Sequence, residues 1–165
     1  DIDEHCARLI ANYSKKFPFV LEGEVPQNTN GFESIINMCA KVLGINSSKE
    51  FEDMALNTSM TSGIQIDMKL VNIDGVNYLD YRRIVQSIMA YKMADVDNIT
   101  LIYSFYESLS EFICNYVNEI AKEINAKDVV LCGNMFANSI LFTKTNKTLS
   151  KTYNIILPKE YPLDY

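Results

Sequence analysis

The sequence predicts a helix-rich α/β domain with a short β-hairpin and a C-terminal βαβ unit. Three observations lead there. Apolar residues recur at helical spacing from Leu101 to Ile124, a face wide and continuous enough for a buried central helix. Asp74-Gly75 separates two runs of alternating hydrophobicity. Between Asp128 and Leu157 a β-branched run, a glycine, a helical pattern and a second β-branched run follow one another. The 165 residues are 48% apolar, with ten tyrosines, eight phenylalanines and no tryptophan, enough for one domain with a real core.

The elements follow in order. Ile2, Cys6, Leu9, Ile10 and Tyr13 make residues 1–16 an amphipathic helix. The chain opens without a methionine and inside this helical pattern, so residues 1–165 are expected to be a single domain, or a domain fragment, cut from a longer protein. Pro18 and the Gly23 to Gly31 stretch predict a loop. Phe32, Ile35, Ile36, Cys39, Val42 and Leu43 predict a helix that Gly44 stops. Ser48 is expected to cap a short helix through Phe51, Met54 and Ala55.

Ile66 to Ile73 and Val76 to Leu79 read as two strands of a hairpin, because both positions of an Asp-Gly turn require positive φ. Asp80 caps a helix whose inner face is Ile84, Val85, Ile88 and Met89. Asp97 caps the long helix, with Leu101, Phe105, Leu109, Phe112, Ile113, Tyr116, Val117, Ile120 and Ile124 as its apolar face, and Asn125 ends it. A strand over 128–132, a helix over 135–150 and a strand from Tyr153 to Leu157, ended by Pro158, complete a right-handed βαβ unit with parallel strands.

Composition narrows the functional classes. A net charge of −6 with scattered Lys and Arg argues against a nucleic-acid partner. No apolar run reaches the ~20 residues that span a bilayer, so no membrane segment is expected. Cys6, Cys39, Cys114 and Cys132 form no CxxC pair and are expected to be buried free thiols of a cytoplasmic protein. His5 is the one histidine, and no cysteine at ligand spacing accompanies it, so a metal site built on it is not expected.

The chemistry concentrates at Leu131-Cys132-Gly133-Asn134. A strand, a glycine turn and a helix place backbone N–H groups and the positive end of a helix dipole at one crevice, where phosphates bind. A lone glycine there is equally the mark of a tight turn. Cys132 is either a thiol activated by that helix dipole or a small buried residue closing the strand. Glu107 and Glu111 read as a solvated face, and Glu50, Glu52 and Asp53 as acids placed favourably at a helix start. Tyr103, Phe105, Tyr106, Phe112 and Tyr116 follow helical spacing and read as core.

Six segments, in order, carry a resemblance. Phe32 to Gly44 aligns without gaps on Met-Gly-Arg-Leu-Phe-Asp-Ala-Val-Ala-Ala-Leu-Leu-Gly, and Phe51-Glu52 on Tyr-Glu. Asp74-Gly75 with Leu79-Asp80-Tyr81-Arg82 looks like Asp-Gly with Leu-Asp-Trp-Arg, and Phe105 to Leu109 like Phe-His-x-x-Leu. Cys132 to Asn138 looks like Ser-Gly-Gly-Val-Phe-Gln-Asn, and Leu157 to Pro162 like Leu-Pro-Arg-Glu-Leu-Pro. Over about residues 28–165 the chain thus resembles the C-terminal part of the hydrogenase maturation carbamoyltransferases, the HypF family.

The resemblance implies a lobe of an actin-like, sugar-kinase-like ATPase fold. It implies ATP with Mg²⁺ as cofactor, formation of a carbamoyl adenylate, transfer of the carbamoyl group to a protein thiol, and a hydrogenase maturation protein as partner. It implies that Gly133, Asn134 and Asn138 contribute to the nucleotide site, with Glu52 near the adenosine. The chain departs from the family at polar positions. Glu33-Ser34 replace Gly-Arg, Asn37 replaces Asp, Tyr106 replaces His, Asn134 the second turn glycine and Ala137 the Gln. A β-carbon at Asn134 crowds any phosphate that needs the closest backbone approach, and costs little only if φ there is negative or in the αL region. The catalytic residues stay unassigned. The alternative expectation is a degenerate, non-catalytic relative that serves as a protein-interaction or nucleotide-binding module.

Overall fold

The computed structural model describes residues 4–22 and 31–158. The expected loop at Gly23–Asn30 and the end of the Leu157 to Pro162 motif lie outside the described residues. The elements run α1 (Glu4–Lys16), α2 (Phe32–Val42), α3 (Ser48–Leu56), β1 (Leu70–Ile73), β2 (Val76–Leu79), α4 (Tyr81–Met93), α5 (Asn98–Ile124), β3 (Asp128–Val130), a 3₁₀ turn (Asn134–Ala137), α6 (Ser139–Leu149) and β4 (Asn154–Ile156). The predicted order of elements is therefore the observed one.

The 27-residue α5 is the spine. Leu101, Ile102, Phe105, Tyr106 and Leu109 pack with Ile36, Phe51, Ile84, Ile88 and Leu141 into the main core. A smaller core of Cys114, Ala121, Leu131, Leu149 and Tyr153 lies at the distal end, against Val129 and Ile155 of the two C-terminal strands. The apolar face narrows there: Ile120 and Ile124 are exposed. Tyr13 ties α1 down by donating its hydroxyl to the Val42 carbonyl.

β1 and β2 pair antiparallel, Leu70 opposite Leu79 and Ile73 opposite Val76. Asp74 and Gly75 take φ of 51° and 83°, as the turn requires. β3 and β4 pair in parallel, Val129 opposite Ile155, as the strand–helix–strand order predicts. Asp80 and Asp97 are caps, accepting from the backbone N–H of Arg82 and Thr100, and Asn125 ends α5 in the left-handed conformation.

Several boundaries differ from the sequence reading. The cap of α3 is Ser47, whose Oγ accepts from the Glu50 N–H, while the Glu50 carboxylate accepts from the Asn46 N–H. Ser47 thus satisfies the Glu50 N–H as N-cap, and the Glu50 carboxylate reaches one residue further back, to Asn46, so both bonds favour Ser47 over Ser48 as the cap. The helix expected over 135–150 begins only at Ser139, because Asn138 caps it and the preceding turn is 3₁₀. The strand expected over 128–132 stops at Val130, although the Leu131 N–H still reaches the Ile156 carbonyl.

The strand expected from Ile66 begins only at Leu70. Upstream of it the chain is extended but has no neighbouring strand. Its N–H groups are taken by helix side chains: Ile64 donates to Ser104 Oγ and Ile66 to Ser108 Oγ on α5, and Asp67 to Ser87 Oγ on α4. Gly63 donates to the Glu107 carboxylate, whose other oxygen holds Lys144 of α6. Glu107 is thus a half-buried crosslink and not part of a solvated face. Burial pulls the Lys144 pKa down, but the bonds to Glu107 and Tyr103 outweigh it and the net shift is upward.

Candidate functional site

The turn after β3 meets the first turns of α2 and α3. Gly133 sits at φ 107° and ψ 153°, a conformation that side-chain-bearing residues avoid. A Cβ built there meets no atom within 4 Å, so the glycine is required by its dihedrals and its outer face is open. Asn134 shares none of this strain. Among the described non-glycine residues only Phe19, Asp74, Asp95 and Asn125 have positive φ. The β-carbon of Asn134 is accommodated on the unstrained side of the map.

Asn138 has a structural task. Its Oδ1 accepts from the N–H groups of Ile140 and Leu141 at 3.1 and 3.2 Å, capping α6. Its amide nitrogen is buried and has no hydrogen-bond partner. A buried donor left unpaired is uncommon in a folded protein. Cys132, expected either buried or activated, is exposed. It lies beyond the end of β3 and just before the 3₁₀ turn, and the capped α-helix starts only at Ser139. Of the four cysteines expected to be buried, Cys39 and Cys114 are, and Cys6 is half-buried.

A cavity of about 610 Å³ opens between these elements, lined by Phe32 and Glu33 of α2, Ser48, Lys49 and Glu52 of α3, and Asn134 and Met135 of the turn. Two of the predicted site residues, Glu52 and Asn134, therefore share one cavity, 82 positions apart in sequence but lining the same space. Gly133 and Asn138 flank the turn without lining it. Its volume is that of a small-molecule site. It is not the largest hollow: a groove of about 640 Å³ between α1 and α4 exceeds it but contains none of the predicted residues. Among the described residues no group of three or more His, Cys, Asp or Glu side chains is placed to hold a metal. No described helix is long and apolar enough to cross a membrane.

The electrostatics of the cavity are acidic. Burial raises the Glu52 pKa first, and the neighbouring carboxylates of Asp53 and Glu33 raise it further. Glu52 makes no hydrogen bond or ion pair with the described residues, so Lys49 alone supplies positive charge to the lining. Behind the cavity Phe51, Phe105 and Tyr106 form a cluster of edge-on and tilted rings 5.2 to 6.1 Å apart. The Tyr106 hydroxyl in this cluster is buried and unpartnered. Sequence patterning made Tyr106 a core residue and missed this, because spacing reports the ring and not the fate of its oxygen. Ser104 and Ser108 were missed as well. Their signal was legible: two hydroxyls four residues apart on an otherwise apolar face must find partners.

Residues 24–164 match the family described as "Carbamoyltransferase, Kae1-like Domain, second subdomain". The chain belongs to this family. Protein HydE of Wolinella succinogenes is 24% identical over 171 residues, an alignment that covers 95% of this chain and 31% of HydE. The chain thus spans about a third of the length of that curated relative. The crystal structure of T. kodakarensis HypF superposes with a TM-score of 0.64 at 15% identity, over 81% of this chain and 18% of the other. At that identity the likeness establishes the fold, which is the Kae1-like carbamoyltransferase fold expected from the motifs. Of the positions at which the motif resemblance expects other residues, Glu33, Asn134 and Ala137 line the cavity, and Tyr106 packs against Phe51 next to Glu52.

Proposed function

We propose that this domain is the nucleotide-contacting lobe of a HypF-like carbamoyltransferase. In the complete protein ATP and Mg²⁺ support formation of a carbamoyl adenylate, and the carbamoyl group passes to a protein thiol during nickel–iron hydrogenase maturation. The observation that carries this reading is the single cavity that joins Glu52 to the Gly133–Asn134 turn. The residues suit the nucleoside end of a nucleotide. Glu52 offers a carboxylate to ligand hydroxyls, Phe32 and Met135 offer apolar surface, and Gly133, beside the cavity, has open space around its backbone. The unpartnered amide of Asn138 is a donor beside the same turn. When bound, ATP supplies the adenylyl group; this chain's residues bind and orient it.

A second reading has its own observation. Glu33 adds a carboxylate where the family resemblance has glycine, and two acids against one lysine disfavour phosphates in the cavity. That favours a non-catalytic relative that binds a nucleoside or a partner protein without turnover. Calorimetric titration tests the nucleotide site that the first reading needs, and carbamoyl-phosphate-dependent turnover of ATP by the full-length protein separates it from the second. The catalytic reading expects Mg-ATP to bind both this chain and the full-length protein with a Kd below about 1 mM, about −4 kcal/mol, and Glu52→Ala to weaken binding about tenfold. Absence of binding to either protein refutes a nucleotide site and leaves the interaction module.

A further inference from the structure

Tyr106 is fully buried in the first half of α5, packed 5.2 Å from the Phe105 ring and 6.1 Å from the Phe51 ring. Its hydroxyl has no hydrogen-bond partner. Phenylalanine would fill the same ring position without the cost of an unpaired buried hydroxyl. Glu52 follows Phe51 on α3, the residue whose ring touches Tyr106, and lines the cavity. Burial first, and then the Glu52 charge, hold the Tyr106 hydroxyl proton more tightly. Glu52 also lacks any hydrogen bond with the described residues. A buried donor without an acceptor and an acceptor without a donor are thus linked through Phe51, and the acceptor faces the cavity.

We propose that Tyr106 is a positioning residue for Glu52: its hydroxyl donates to one carboxylate oxygen when Glu52 turns inward, and the other oxygen is thereby aimed at hydroxyl groups of a ligand in the cavity. The ligand class, a neutral hydroxylated group such as a ribose, rests on the nucleotide reading above; the Tyr106–Glu52 pairing does not. A hydrogen bond to the ionised carboxyl favours ionisation and opposes the burial and the Asp53 and Glu33 carboxylates that disfavour it. Lys49 on α3 lines the same cavity, and the buried Cys39 of α2 is the other titratable group that acts on Tyr106.

The test is a carbon-13 NMR titration of the Glu52 carboxyl in the wild-type chain and in Tyr106→Phe. The pairing expects the Glu52 midpoint to move to higher pH in the variant, with thermal stability kept or raised. An unchanged midpoint overturns the proposal, and so does a loss of stability with no change in the titration, which marks a purely structural hydroxyl. A second measurement covers poor folding of the variant. The Tyr106 Cζ resonance of the wild type should titrate with Glu52 and lose that step in Glu52→Gln; a resonance indifferent to Glu52 ionisation also overturns it. Adenosine, used as the ligand probe, should bind Tyr106→Phe about tenfold more weakly than wild type. If the wild type does not bind adenosine, the nucleotide reading fails, while the titrations still decide the pairing.

Discussion

At the scale of single residues, the turn after β3 separates what folds the chain from what serves a ligand. Gly133 was legible from sequence because only glycine takes φ 107° without strain, and the space around it is open. Gly133→Ala should therefore lower stability by about 1–3 kcal/mol in urea unfolding, through backbone strain and without a steric clash. Glu52 carries a pH dependence with a definite sign. Its pKa is raised on folding, so the proton is held more tightly in the folded state. The stability this contributes is present at low pH and is lost as pH rises from the unfolded value near 4.5 through the raised folded value. Glu52→Gln should accordingly raise the melting temperature at pH 7 and match wild type below about pH 4. Asp97 runs the other way. Bonds from Thr100 lower its pKa, so its contribution is present above about 3.8 and lost as pH falls through the folded value.

At the scale of elements, helix caps test how finely local rules decide boundaries. Ser47 and Ser48 are adjacent and chemically identical, and the bonds of Glu50 to Ser47 Oγ and to the Asn46 N–H choose between them. Ser47→Ala should cost about 1 kcal/mol in chemical denaturation, whereas Ser48→Ala, inside the helix, should change stability by a few tenths at most. The extended segment before β1 was read as a strand because alternation encodes which residues face inward and says nothing about what accepts their N–H groups. Here serines on α5 do so. Ser108→Ala should leave the Ile66 N–H buried and unpaired and cost about 1–3 kcal/mol. Gly63→Ala should be destabilising for a steric reason, since its new Cβ would lie 2.4 Å from Ser104 Oγ and 2.9 Å from the Ser104 backbone. Equilibrium unfolding of these variants measures each cost.

At the scale of the whole molecule, element order and core membership were readable from one sequence because burial imposes periodicity on apolar residues. The Leu101 to Leu109 half of α5 is buried almost all round, while the Val76 to Leu79 strand is exposed along most of its length. Native-state hydrogen exchange should follow that gradient, slowest in the first half of α5 and fastest among the folded elements in the β1–β2 hairpin. Comparable protection in both would contradict the arrangement of the core. The cavity was only partly legible. Glu52 and Asn134 were named through family motifs, but their meeting depends on how α3 packs against the turn, a long-range contact that spacing does not encode. Tyr106 shows the limit most clearly, since its ring obeys the pattern and its oxygen does not.

The pairing of an extended segment with helix hydroxyls has a metrical consequence. Four residues of α-helix advance about 6 Å, and two residues of extended chain about 6.6 Å. These repeats nearly coincide, which is why Ser104 and Ser108 meet Ile64 and Ile66 in step. The mismatch accumulates at each further step, and the next helix position in the series is Phe112, which carries no hydroxyl. The chain then leaves α5 and turns into the hairpin at Leu70. The helix acts as a vernier scale for the strand-like chain beside it, and one residue inserted between Ser104 and Ser108 would swing the second mark about 100° out of reach.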